Sequence, residues 1–163
     1  MAQLTILRYP DPGLSKACQP ITVFDAALET FAQDLLATMR AAPGVGITAA
    51  HVGVHIRLVV LEFSAKDGPR FYANPEILSF GEQPMRYTEG SVSMPGATEE
   101  VERPAMIRFR YQRLDGTHAE EDATGFYSVC MQHEIDQLDG VFWLKRLSRL
   151  KRDRLVRKWE KGR

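Results

Sequence analysis

Residues 105–113, AMIRFRYQR, alternate apolar and polar side chains, the pattern of a strand with one buried face. Asp115-Gly116 follows as a hairpin signal, and residues 118–122 are predicted to return alongside. The period then changes. Thr124 is predicted to cap a helix running to about Leu138, with Gly140 at its C-terminal stop. Upstream, Phe24, Leu28, Phe31, Leu35 and Met39 recur in steps of three and four. They predict an amphipathic helix from Phe24 to about Ala42, with Asp25 as its cap and Pro43-Gly44 as its end. HIRLVVLEF, residues 55–63, reads as a strand, with shorter strands expected at 70–74 and 76–80. Residues 1–20, with three prolines, are expected to form an irregular arm, and a last helix is expected over about 148–161. A run of strands between helices points to an α+β fold rather than a wound parallel sheet.

A chain of 163 residues suits one domain, expected over 1–163, and buries about 70% of its unfolded surface without staples. No apolar run approaches the ~20 residues of a membrane span, and the N-terminus lacks the pattern of a secretory signal. Cys18 and Cys130 make no disulfide framework, so a reducing, cytoplasmic setting is expected. Lys+Arg and Asp+Glu both number 21, which steers the chain to neither DNA nor membrane. The balance is uneven, however. From Lys145 onward ten basic residues face only Asp153 and Glu160, a cationic helix that suits either solvent or a polyanion such as RNA.

Gln132-His133-Glu134-Ile135-Asp136-Gln137-Leu138 carries the chemistry. On a helix, residues i and i+4 share a face, and His-Glu-x-x-His uses that spacing to offer a metal two imidazoles with a carboxylate beside them. Here the second position is Gln137. Two more segments stand upstream: Gly44-Val45-Gly46-Ile47-Thr48-Ala49-Ala50-His51, and Glu89-Gly90-Ser91-Val92-Ser93. In this order the three segments resemble the GxGxAAxQ, EGCLS and QHExDHLxG motifs of peptide deformylases. The resemblance extends to Pro10-Asp11, Arg103-Pro104, Asp115-Gly116, Gly125 and Leu138-Asp139-Gly140.

That resemblance implies antiparallel sheets around a central HExxH-type helix, and removal of formyl from N-formylmethionyl peptides at a divalent ion held by one Cys and two His. It makes His133 a metal ligand and Glu134 the general base. It places Val92, through its main-chain N–H, and His51, at the position of a Gln, beside the developing oxyanion. Gly46 joins these catalytic positions, and Gly44, Glu89 and Arg103 are expected to bind substrate. Ser91 stands where the family has Cys, and Gln137 where it has the second His. A neutral hydroxyl and a carboxamide replace a soft anion and an imidazole, so the ion (Fe²⁺, Zn²⁺ or Ni²⁺) is expected to bind weakly or not at all.

The expected function is a deformylase-like protein with degenerate ligand positions, weak or inactive in deformylation. It is expected to keep hold of a formylated or free peptide N-terminus, or of the ribosome through its basic C-terminal helix. Two alternatives remain open. In one, His133 and His51 rebuild a metal site; in the other, Ser91 serves as the nucleophile of a metal-free hydrolase. Cys130, one helical turn before His133, reads as core rather than as a substitute ligand. Tyr87, Trp143 and Trp159 read as packing residues.

Overall fold

The computed structural model describes residues 2–162; the two terminal residues of the expected 1–163 domain lie outside it. Helix α1 (Ala26–Ala41) begins where the Asp25 carboxylate accepts from the Leu28 N–H at 3.0 Å. Strands β1 (Gly46–Thr48), β2 (Leu58–Leu61), β3 (Arg70–Phe80), β6 (Met106–Gln112) and β7 (His118–Thr124) form one antiparallel sheet in the order β1-β2-β3-β6-β7. Strands β4 (Pro84–Glu89) and β5 (Glu99–Pro104) pair separately. Helices α2 (Phe126–Leu138) and α3 (Arg149–Lys161) complete the fold.

All four residues of β2 are buried, because the sheet is covered on both faces there. Leu58 and Val60 pack with Leu28, Ala32, Leu35 and Met39 of α1. Val59 and Leu61 face the other way, into a cluster with Met131, Ile135 and Leu138 of α2 and Ile107 and Phe109 of β6. In β6 the predicted alternation is realised: Ile107, Phe109 and Tyr111 are buried, while Arg108 and Arg110 reach across the sheet to Glu120, Asp122 and Glu76. Helix α3 docks through Leu155 and Trp159 on Leu14, Met94, Phe142 and Trp143, leaving most of its cations exposed. Among the described residues no helix is long and apolar enough to cross a membrane.

The structure departs from the expected elements in four places. The two strands expected at 70–74 and 76–80 are one, β3, whose register shifts between Ala73 and Glu76. Asn74 there takes a positive φ of 51°, and its amide bonds both the N–H and the C=O of Ile21, at 2.7 and 2.8 Å. The expected 55–63 strand shortens to β2 because the His55 ring is committed to the Gly13 carbonyl at 2.8 Å and Ile56 bridges Gln19. Thr124 does not cap α2: it still pairs with Met106, and Gly125, at φ 61°, makes the turn. Strands β1, β4 and β5 have no counterpart in the sequence reading. In β5 the inward positions are Val101 and Arg103, and the buried arginine erases the apolar alternation.

Candidate active site

The three motif segments converge on one cavity of about 480 Å³. Each is held there by a different element. Strand β1 feeds a 3-10 turn, Ala49–Val52, that carries His51 inward. The end of β4 presents Glu89, and the following loop presents Ser91 and Val92. Helix α2 supplies Val129, Cys130, His133 and Glu134. Phe126, with Tyr87 packed on it at 5.5 Å between ring centroids, forms part of the rim.

Two glycines let these segments close. A Cβ on Gly46 would lie 2.5 Å from Glu134 Oε2, and one on Gly44 would lie 2.8 Å from Val92 Cγ1. Neither position admits a side chain without displacing a wall of the cavity.

Behind His133 runs a chain of charges. Its Nδ1 bonds Glu89 Oε1 at 2.8 Å. Arg103 clasps Glu89 through Nε and Nη2, at 2.6 and 3.0 Å, and reaches Asp136 at 2.8 Å through Nη1. Arg146 closes on Asp136 through two bonds of 2.9 and 2.7 Å. Burial opposes the Glu89 charge, but the bonds from His133 and Arg103 outweigh it and hold the carboxyl below its ordinary range. Burial likewise opposes a charge on His133, yet Glu134 and Glu89 outweigh it and raise the imidazole. The result fixes the ring: Nδ1 faces the carboxylate and Nε2 is left for the cavity side.

Glu134 is enclosed, and its Oε1 has no hydrogen-bond partner among the described residues. Burial pushes its carboxyl up to about 7, against the pull of His133. His51 is 1% exposed. Its Nδ1 sits 2.9 Å from the Thr48 main-chain N and 3.0 Å from Thr48 Oγ1, while Nε2 is buried without a partner among the described residues. Burial, reinforced by His133, pushes this imidazole down to about 3.

The remaining positions separate. Ser91 lines the cavity, and its hydroxyl accepts the Ser93 N–H at 3.1 Å. No hydrogen bond joins Ser91 to His133 among the described residues. Gln137 is 2% exposed and stands outside the cavity wall, its amide donating to the Leu14 carbonyl at 2.7 Å. Arg103 was expected to bind substrate, but it is 4% exposed, saturated by carboxylates and absent from the wall. Its position makes it the support of Glu89. Glu89 does reach the wall, while holding His133. Cys130, read as core, packs partly against the α2 cluster and also lines the cavity, where burial raises its thiol far above the ordinary range. Sequence reasoning missed Thr48 as a partner of His51 and Asp136 as a link between two arginines. The signal for Asp136 was present, since it lies on α2 one turn from Gln132 and three residues after His133. Among the described residues no three His, Cys, Asp or Glu side chains gather closely enough to hold an ion.

The sequence profile described as polypeptide deformylase matches residues 3–153. The "Peptide deformylase-like" protein of Agrobacterium fabrum is 60% identical over 163 residues, 100% of this chain and 99% of that one. The "Peptide deformylase" of Afipia carboxidovorans is 43% identical over 99% of this chain and 96% of its own. The crystal structure of a peptide deformylase from Legionella pneumophila superposes with a TM-score of 0.93 at 35% identity, covering 99% of this chain and 95% of that one. Fold, motif order and sequence agree, and the chain belongs to the polypeptide deformylase family.

Proposed function

We propose that this protein holds the N-terminal end of a polypeptide, formylated or free, in the cavity, and that it removes a formyl group weakly or not at all. The observation that carries the reading is Gln137. The side-chain N–H of the carboxamide at the second imidazole position donates to the Leu14 carbonyl, Gln137 is not among the residues lining the cavity, and its oxygen is a neutral, weak ligand. Ser91 offers only a neutral hydroxyl, already accepting a main-chain N–H. One imidazole nitrogen, Nε2 of His133, is then the single strong donor for a divalent ion. A site of this kind needs three protein ligands, so these residues do not fit the metal that the family's chemistry uses. Without such an ion, water keeps a pKa near 15.7 rather than about 7, and attack on a formamide slows by many powers of ten.

The cavity itself remains suited to a peptide end. Its walls are apolar at Val92, Phe126, Val129 and Cys130, and its polar groups are His51, Glu89, His133 and Glu134. That mixture fits a methionyl side chain next to a polar terminus. The exposed cations of α3 extend the proposal to a second partner, ribosomal RNA. The helix is anchored by its apolar stripe, so Arg149, Arg154, Arg157 and Lys158 stay in solvent.

Untagged protein titrated calorimetrically with formyl-Met-Ala-Ser, with and without added Fe²⁺, Zn²⁺ or Ni²⁺, tests the function. The expected result is metal-independent binding with deformylation orders of magnitude below that of a relative with the Cys and two His ligands. Metal-dependent binding with fast release of formate would overturn the reading.

A further inference from the structure

We propose that Trp159 is a positioning residue for the cavity: from the C-terminal helix, its indole N–H holds the Pro95 carbonyl and, through it, one wall of the peptide site. The inference rests on the peptide-binding reading above and deepens it by naming what fixes that wall.

The wall is the loop between β4 and β5, of which Ser91, Val92, Pro95, Gly96, Ala97 and Thr98 line the cavity. Inside the loop, the Met94 N–H donates to the Ser91 carbonyl at 3.0 Å and the Ala97 N–H to the Met94 carbonyl at 3.2 Å. Packing fixes Met94 and Ala97, which are buried in one cluster with Leu155 and Trp159. It does not fix the two residues between them. Pro95 and Gly96 are exposed, and a Cβ on Gly96, which turns at a φ of 85°, would meet no atom within 4 Å among the described residues. Pro95 has no N–H to give. Its carbonyl is the group by which this stretch is held.

Trp159 supplies the hold. Its Nε1 donates to the Pro95 carbonyl at 2.9 Å, across 64 residues of sequence. The side chain is buried, and an indole N–H can only donate, so in that position it needs an acceptor. A phenylalanine would also fill the apolar cluster, but the indole adds a donor aimed at the loop. Tyr9 gives a second strap beside it. The Tyr9 main-chain N–H donates to the Ser93 carbonyl at 2.9 Å. Its ring stacks on Phe142, with centroids 5.3 Å apart, and meets Trp159 edge-on at 6.1 Å. The N-terminal arm and α3 thus grip the loop side by side, at Ser93 and Pro95. Trp143 marks the contrast within the same cluster: its buried indole nitrogen has no hydrogen-bond partner among the described residues. Trp143 packs, whereas Trp159 packs and tethers.

A wall held in place spares the peptide the cost of ordering it, and that gain is bounded by the worth of one hydrogen bond, about three- to tenfold in affinity. Two measurements on the full chain test this. Both use a variant with a benzothiophene in place of the Trp159 indole, which keeps the ring and its packing and replaces the N–H by sulfur. The first is amide hydrogen exchange without peptide. The Met94 and Ala97 amides should exchange about three- to tenfold faster in the variant, while Phe109 in β6 stays as in the wild type. Unchanged exchange at Met94 and Ala97, or equal acceleration at Phe109, overturns the tether. The second is calorimetric titration with formyl-Met-Ala-Ser, well below the unfolding temperature. The benzothiophene variant should bind about three- to tenfold more weakly than the wild type. Leu155→Ala thins the same cluster but leaves the indole N–H in place, so it should lower stability and keep wild-type affinity. Wild-type affinity in the benzothiophene variant, or equal weakening in Leu155→Ala, overturns the positioning role. Failure of the wild-type chain to bind the peptide sinks the functional reading itself, and the exchange result still judges the tether on its own.

Discussion

His133 and Gln137 stand one turn apart on the same face of α2, yet their side chains do opposite things. His133 is drawn toward the cavity by Glu89, which is itself braced by Arg103 and Asp136. Gln137 donates its side-chain N–H to the carbonyl of Leu14, 123 residues earlier in the chain. Helix geometry placed both residues for the same task. The partner behind each one decides whether it serves the cavity or the scaffold. A chain of charges thus braces the position that keeps its imidazole, and a hydrogen bond to a main-chain carbonyl holds the carboxamide one turn later.

The sharpest way to break this contrast is to restore both ligand types at once. Ser91→Cys with Gln137→His should yield about one bound divalent ion per chain and raise deformylation by orders of magnitude, read by elemental analysis and formate release. If the double variant folds but takes up no ion, the cavity is not the frame described above. Glu89→Ala attacks the supported side. It leaves Arg103 buried and short of a partner, and should cost about 3–5 kcal/mol in denaturant unfolding. Gln137→Ala attacks the rewired side. It should cost about 1–3 kcal/mol, because the Leu14 carbonyl loses its buried donor. Gly46→Ala should cost a similar amount, about 1–3 kcal/mol, as the new methyl collides with the Glu134 carboxyl. The smallest effect belongs to the far surface. Arg149→Ala, at an exposed position, should leave stability within about 0.5 kcal/mol. It should also reduce the salt dependence of ribosome co-sedimentation by about one phosphate contact.

The sequence disclosed most where a single period ran unbroken. Helix α1, strand β6 and helix α3 fall within two residues of their expected bounds, because burial on one face writes itself as alternation or as a three-four step. It disclosed least where charge is buried. Arg103 and Glu89 hide β4 and β5, since a strand with an arginine turned inward reads as a polar loop. In the cavity, His51, Ser91, Val92, His133 and Glu134 lie together on the lining. Gln137 and Arg103 are not on the wall, and spacing alone had no means of saying so. Their directions are set by Leu14, Glu89 and Asp136, partners remote in sequence from at least one end of each bond. Thr48 escaped notice as a partner of His51 because its decisive group is a main-chain N–H, which no side-chain pattern encodes.

The decisive measurement is metal content alongside turnover, on untagged wild-type protein incubated with excess Fe²⁺, Zn²⁺ and Ni²⁺ and then desalted. The expected result is far less than one ion per chain and at most trace release of formate from formyl-Met-Ala-Ser. One firmly retained ion per chain, with rapid formate release that a chelator abolishes, would contradict it.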